Sequence, residues 1–338
     1  MVCRPARRVG ADCGSGSSLE DLIPKTLAGV AARRSIAVAA LIVLLSGAAR
    51  AQELEPGTYQ NAPIRANIAI ASYGYSSGNV LFDASLPVEG AKAKVNVIGL
   101  AYLRTLGIGG RAAKIDVQVP VSWATFTGFV AGEFRTRSPQ GLADPRVRLL
   151  VNLVGAPALS PPEFAGYRQH TVVGASLQAV MPLGQYDATR YVNLGSNRWS
   201  FRPELGMTHT RGRLALEVTG GAWFFTHNGD YVGSTTQTQT PLYFAKAGAI
   251  WTVKRGMWLA VNYGRANGGE TRVDGVKTNE PQRNDRLAYT FVMPFYQWGG
   301  LRLTYTSGLS TRLGADFDSI GIGYQYSWFK RPSAKPGA

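Results

Sequence analysis

The stretch Ser319–Phe329, S-I-G-I-G-Y-Q-Y-S-W-F, decides the fold. Ile320, Ile322, Tyr324, Tyr326 and Trp328 fall on one side of an extended chain, and Gly321, Gly323, Gln325 and Ser327 fall on the other. Strict alternation of this kind is the pattern of a β-strand. An edge strand of a soluble sandwich alternates as well. This one differs in company: its apolar side ends in aromatics, its other side carries only small or polar groups, and only a short tail, Lys330–Ala338, follows.

Composition narrows the choice. Charged residues make up 17% of the 338, below the roughly 25% of a soluble domain, and there are 40 glycines. Mean hydropathy is nevertheless only −0.06. A helical membrane protein is far more apolar. A chain of this balance is either soluble or a barrel whose apolar and polar residues alternate and cancel in the average.

The formal charge of +15 is partly a property of the leader, since Arg4, Arg7, Arg8, Lys25, Arg33, Arg34 and Arg50 lie before residue 52. The remainder carries 29 basic and 18 acidic residues, a net +11. Those basic residues are spread singly rather than clustered on a helix or patch, which argues against nucleic acid as a partner. Both cysteines, Cys3 and Cys13, are also in the leader, so the rest of the chain can form neither a disulfide nor a cysteine metal site.

Arg33 and Arg34 precede the apolar run Ile36–Leu45, and Ala49-Arg50-Ala51 then fits a small-x-small cleavage pattern. A run of about ten residues is too short to span a bilayer, which takes about 20. Residues 1–51 therefore read as a leader and signal peptide cleaved before Gln52. Residues 52–64 read as a short periplasmic lead-in, 65–329 as the barrel, and 330–338 as a short basic tail.

Strands separated by turn signals fill the barrel region. They are expected at 65–75, 93–105, 112–125, 145–154, 169–181, 198–210, 213–226, 241–253, 257–265, 285–295, 300–307 and 318–329. Twelve is an even number, as an up-and-down barrel requires. The connections alternate in length. Gly107–Arg111, Arg211-Gly212, Lys254–Gly256 and Tyr296–Gly299 are short; Ser76–Lys92, Thr127–Asp144, Pro182–Asn197, His227–Thr240, Ala266–Asn284 and Gly308–Phe317 are long. Outer-membrane barrels have short periplasmic turns and longer extracellular loops. One segment breaks the rule: Gly155–Arg168 is long and proline-rich where a short turn is due. Aromatics near strand ends, Trp123, Trp199, Trp251, Tyr263, Trp298 and Trp328, suit interfacial girdles.

With the apolar faces outward, the opposite faces project Lys114, Asp116, Arg148, Arg202, Glu204, Arg213, Glu217, Lys246 and Arg302 into the lumen. Buried charge is costly unless paired or wet, so a water-containing interior suits these residues better than a dry core. Val180, Trp223, Phe225, Leu242, Phe244, Ile250 and Val292 point the same way. The residues expected to line a pore are Arg148, Arg202, Glu204, Glu217, Phe244, Lys246 and Arg302. The excess of bases favours anionic or electron-rich solutes, and the apolar members favour small aromatic ones over sugars. The bland alternative is that the charges pair across the interior and only stiffen it.

Catalysis has little to stand on. The three histidines, His170, His209 and His227, lie on different strands or strand ends, with no motif placing a serine and a carboxylate beside them. Three separated histidines without cysteine do not suggest a metal site, and no glycine loop opens a helix for phosphate, so no cofactor is expected. A barrel enzyme would bring one histidine within reach of a serine near the outer rim.

Two resemblances sharpen the reading. The alternation of Ser319–Phe329 running to Trp328 resembles the last strand of bacterial outer-membrane barrels, whose final aromatic is read by the assembly machinery. Here Phe329 is out of phase and a nine-residue tail follows, both departures from that signal. Gly141–Pro157, Met181–Asp187 (M-P-L-G-Q-Y-D) and Asn193–Gly206 (N-L-G-S-N-R-W-S-F-R-P-E-L-G) together resemble the family of the MetA-pathway of phenol degradation. That resemblance implies an outer-membrane transporter-like barrel taking up aromatic or other hydrophobic compounds, and it carries no catalytic or binding residues with it. The expectation is thus an all-β, roughly twelve-stranded antiparallel barrel in the bacterial outer membrane. It is expected to work as a passive, non-enzymatic channel whose partners are the lipid bilayer, the assembly machinery and small hydrophobic solutes. The alternatives are a closed structural barrel and a lipid-active barrel enzyme.

Overall fold

A computed structural model describes residues 54–81, 88–130, 132–190, 192–296 and 299–329. The expected signal peptide and cleavage site, Trp298 and the tail after Phe329 lie outside the described residues. In chain order the elements are β1 (Ala66–Leu81), β2 (Val88–Ile108), β3 (Arg111–Val130), β4 (Glu133–Arg137), β5 (Gln140–Leu142), β6 (Arg146–Val154), the helix α1 (Pro161–Gly166), β7 (Thr171–Val180), β8 (Ser200–Arg211), β9 (Leu214–Phe225), β10 (Asn228–Tyr231), β11 (Thr235–Gln239), β12 (Leu242–Lys254), β13 (Met257–Gly268), β14 (Thr271–Val273), β15 (Val276–Asn279), β16 (Gln282–Phe295), β17 (Gly299–Thr311) and β18 (Gly314–Phe329).

Twelve of these, β1, β2, β3, β6, β7, β8, β9, β12, β13, β16, β17 and β18, pair antiparallel in order around a closed barrel. Closure is made by β18 on β1, in unbroken register from Ala66 opposite Phe329 to Leu81 opposite Gly314. In hydrocarbon no water can satisfy a sheet edge, so only a closed sheet spans it. All twelve expected strands are present. The alternation read from the last strand is real: Ile320, Ile322, Tyr324, Tyr326 and Trp328 face out, as do Leu100, Leu205 and Leu259 on other walls. This apolar outer surface is the bilayer-facing band.

The tight connections sit at one end, with positive backbone φ at Gly109, Gly110, Gly212 and Gly256. Two-residue hairpin turns need that conformation, which glycine adopts without strain. In outer-membrane barrels the short turns lie on the periplasmic side. Arg213, expected in the lumen, is instead exposed in the turn after Arg211.

The loop end differs from expectation in a specific way. Much of Ser76–Lys92 and Gly308–Phe317 is strand rather than loop: β1 continues to Leu81 and β2 begins at Val88, while only Arg312-Leu313 separates β17 from β18. The Thr127–Asp144 stretch is mostly strand too, with β4 and β5 pairing back onto the upper part of β3 while β6 pairs onto its lower part. Pro139 and Pro145 stand at the breaks, where a residue without an N–H cannot join the ladder. A strand needs about 9–11 residues to cross the bilayer, so strands of 16 to 21 residues project beyond it. There both faces meet water and alternation is no longer enforced.

The two long loops after β9 and β13 build a second sheet, β10-β11-β14-β15. Among the described residues, Pro182–Asn197 has no strand. It is pinned by Asp144, which accepts hydrogen bonds from Gly184 N (3.0 Å), Ser196 N (2.8 Å) and Ser196 Oγ (2.6 Å).

Candidate functional site in the barrel interior

Apart from Arg213, the expected charged residues lie on inward faces, and several of them gather into two clusters, the first toward the turn end of β3 and the second toward the loop end of β8 and β12. In the first, Arg148 Nε donates to Asp116 Oδ2 at 2.8 Å. In the second, Glu204 receives Lys246 Nζ at 3.1 Å and lies 3.7 Å from Arg202 Nε. Arg202 is itself nearly fully buried, as is Glu204, and Arg202 also donates to Gln178 Oε1 at 3.0 Å. Glu217 accepts from Thr208 Oγ1 at 3.1 Å. A buried charge is tolerable only with such partners.

Aromatic faces stand over the cations. The Arg202 guanidinium lies 5.1 Å from the Trp223 ring and 5.9 Å from the Phe244 ring. Lys246 Nζ is 5.4 Å from Phe244, Arg198 is 4.7 Å from Phe225, and Arg302 is 5.8 Å from Trp258. Toward the loop end, Val180, Trp223, Leu242, Phe244 and Ala266 pack as one apolar cluster with Phe225 against it. Ile250 and Val292, also expected inside, are buried as well. The Trp223 Nε1–H in this cluster has no hydrogen-bond partner.

What the sequence did not reveal is the occupant of this interior. Residues 54–65 do not hang from the barrel end; they enter it and touch walls on every side. Glu55 Oε2 lies 3.1 Å from Arg148 Nη1 on β6, and its Oε1 lies 3.9 Å from Arg302 Nη1 on β17. Gly57 N donates to Glu217 Oε2 at 2.9 Å, in the left-handed conformation with φ of 75°. Tyr59 is 2% exposed, and its hydroxyl donates to Glu204 Oε1 at 3.1 Å. Lys114 Nζ donates to the carbonyls of Thr58 (3.0 Å) and Gln60 (2.8 Å).

Glycines make the room. Gly174 on β7 and Gly206 on β8 are register partners, and a Cβ on either would stand 2.3 Å or 2.1 Å from the Tyr59 ring. On β13, three strands round from β8, a Cβ on Gly264 would meet Leu54 Cδ2 at 2.5 Å. Glycine can mark a close approach of another group to the backbone, and here it does so three times.

The anomalous Gly155–Arg168 segment explains itself at this point. It holds the lead-in at the barrel mouth: Ile64 N donates to Leu159 O at 2.9 Å and Asn61 Nδ2 to Pro157 O at 3.2 Å. Its helix α1 starts at Ser160, whose N and Oγ both donate to Glu163 Oε2 at 2.7 Å and hold that carboxyl below the ordinary glutamate range.

Of the three histidines, one has a side-chain partner among the described contacts. His209 Nδ1 lies 2.9 Å from Thr171 Oγ1 near the turn end, which is neither the serine nor the outer rim that a barrel hydrolase calls for. Among the described residues no group of three or more metal-ligating side chains converges.

A closed, apolar-surfaced twelve-stranded barrel of this kind is an outer-membrane β-barrel, and its fold is shared by outer-membrane channels. The chain belongs to the family described as "Putative MetA-pathway of phenol degradation", whose profile matches residues 75–293. Among solved structures it is similar to an outer membrane channel from Pseudomonas putida F1, with a TM-score of 0.71, 20% identity, and coverage of 82% of this chain and 100% of that one. It is more distantly similar to the NanC porin, with a TM-score of 0.42, 9% identity, and coverage of 76% and 98%. For the beta domain of the Bordetella autotransporter BrkA the TM-score is 0.47, with 10% identity and coverage of 78% and 100%. No curated protein sequence matches the chain.

Proposed function

We propose that the barrel is a passive, non-enzymatic outer-membrane channel for small aromatic or hydrophobic compounds, exported by a cleaved signal peptide and inserted by the outer-membrane assembly machinery. Arg148, Arg202, Glu204, Glu217, Phe244, Lys246 and Arg302 line its path. The observation that carries this reading is the interior wall of cations on aromatic faces, Arg202 on Trp223 and Phe244 above all. Such a wall offers π-faces to a ring and positive charge to its electron-rich substituents. Uptake into proteoliposomes tests it: benzyl alcohol and benzoate enter faster than arabinose through the barrel, and equal rates for all three would remove the aromatic preference.

A closed structural barrel is the competing reading, and one observation favours it: the interior carboxylates are already paired and the lead-in lies among them. The two readings part on whether the lead-in can leave.

A further inference from the structure

The Glu55 carboxylate is the point at which the lead-in holds opposite walls together. It meets Arg148 on β6 and Arg302 on β17, with Trp258 under the Arg302 guanidinium. Arg148 keeps Asp116 whether or not Glu55 is present. Among the described residues Arg302 pairs with no other acid, and its side chain is 35% exposed. The lead-in's other contacts with interior charged groups are hydrogen bonds between a charged wall group and an uncharged lead-in group, from Gly57 N to Glu217, from Tyr59 Oη to Glu204 and from Lys114 to the Thr58 and Gln60 carbonyls. Around them stand five cations, Lys114, Arg148, Arg202, Lys246 and Arg302, against three wall carboxylates, Asp116, Glu204 and Glu217. The wall is therefore short of negative charge, and Glu55 supplies some of it.

We propose that Arg148 and Arg302 form a carboxylate-binding site which the chain's own Glu55 occupies in the closed barrel, so that a carboxylate-bearing solute displaces the lead-in by competing for the pair. An exogenous carboxylate satisfies the same two guanidiniums without being tied to residues 54–65. Guanidinium and carboxylate match in geometry as well as charge. A ring on the solute gains a further face at Trp258. The lead-in is thus a latch whose ligand is covalently attached to it. This rests on the channel reading for its consequence, but the site itself can be tested apart from transport.

The chain from residue 52 onward has no cysteine, so a single Thr58→Cys reports on the lead-in. In the exported, bilayer-inserted protein, modification of that thiol by a neutral maleimide is followed with sodium benzoate, with benzyl alcohol and with chloride. The expected result is that benzoate speeds modification about five- to tenfold, in the range of ordinary site coupling, and that benzyl alcohol does not. In Arg302→Ala and in Glu55→Gln, modification is fast without any solute, and benzoate adds nothing in Arg302→Ala. Heat-modifiable migration verifies that each variant is folded. No response to benzoate, or an equal response to benzyl alcohol, overturns the site. Single-channel current is recorded in parallel: a benzoate response in a barrel that never conducts keeps the site and removes the channel, whereas steady current with no benzoate response does the reverse.

Discussion

Gly206 lies flat against the ring of Tyr59, so close that a Cβ built on Gly206 would stand 2.1 Å from Tyr59 Cε2. The approach is shared by Gly174 across the β7–β8 ladder, which makes a shallow slot for one aromatic ring. Gly206→Ala therefore expels the ring rather than merely crowding it. Losing a buried aromatic side chain costs about 1.5–3 kcal/mol. The barrel should survive, because its own ladder is intact, while the lead-in becomes accessible to protease. Cleavage near Tyr59 at unchanged barrel heat-modifiability checks this.

Glu204 has a heavier role than Tyr59. Tyr59→Phe removes one hydrogen bond to a carboxylate that keeps Lys246 and Arg202, a loss of about 1–2 kcal/mol. Glu204→Ala leaves both cations without that carboxylate, and breaking a buried pair in this way costs about 3–5 kcal/mol. Urea unfolding in lipid vesicles should rank the two variants in that order, and the reverse order would mean that the interior is wet enough to hydrate the bases.

Asp144 organises the Pro182–Asn197 loop through three hydrogen bonds, two of them from backbone N–H groups of Gly184 and Ser196. Asp144→Ala should loosen that loop and expose it to proteolysis. Asp144→Asn should retain part of the order, since its amide oxygen can accept but lacks the charge that strengthens each bond. Limited proteolysis of intact vesicles separates the three proteins.

The second sheet carries its own charge lock. Arg272 and Lys277 hold the Glu270 carboxyl below the ordinary glutamate range, and Glu280 with Glu270 raises Lys277. A lowered carboxyl stabilises above its ordinary value and loses that contribution as pH falls through the lowered one. A raised lysine stabilises below its ordinary value and loses it as pH rises through the raised one. Protection factors of β14 and β15, corrected for the intrinsic pH dependence of amide exchange, should therefore be highest around neutrality and fall at both extremes, with high salt weakening the protection.

The barrel was legible because lipid and lumen impose opposite chemistries on alternate residues, as in Leu301–Thr306 and, with Trp258 as an inward aromatic exception, Met257–Gly264. Beyond the bilayer the rule lapses, which is why Ser76–Leu81 and Gly308–Thr311 look like loop while pairing as strand. The lumen residues were legible one by one, as the inward partners of apolar outward ones. Their pairing was not, since Arg148 and Glu55 are 93 residues apart and no local pattern joins them. The lead-in was read as periplasmic because E-L-E-P-G-T-Y-Q-N-A-P has neither period. Its one visible trace was the set of inward glycines, Gly174, Gly206 and Gly264, too small for wall positions unless something fills the space.

Single-channel conductance in a planar bilayer tests the central claim most directly, comparing the exported chain with one shortened to begin at residue 66. The expected result is brief or small openings for the former and a larger, steady current for the latter, at the same heat-modifiable fold. A folded barrel that stays silent in both forms would contradict the channel and leave the closed structural reading standing.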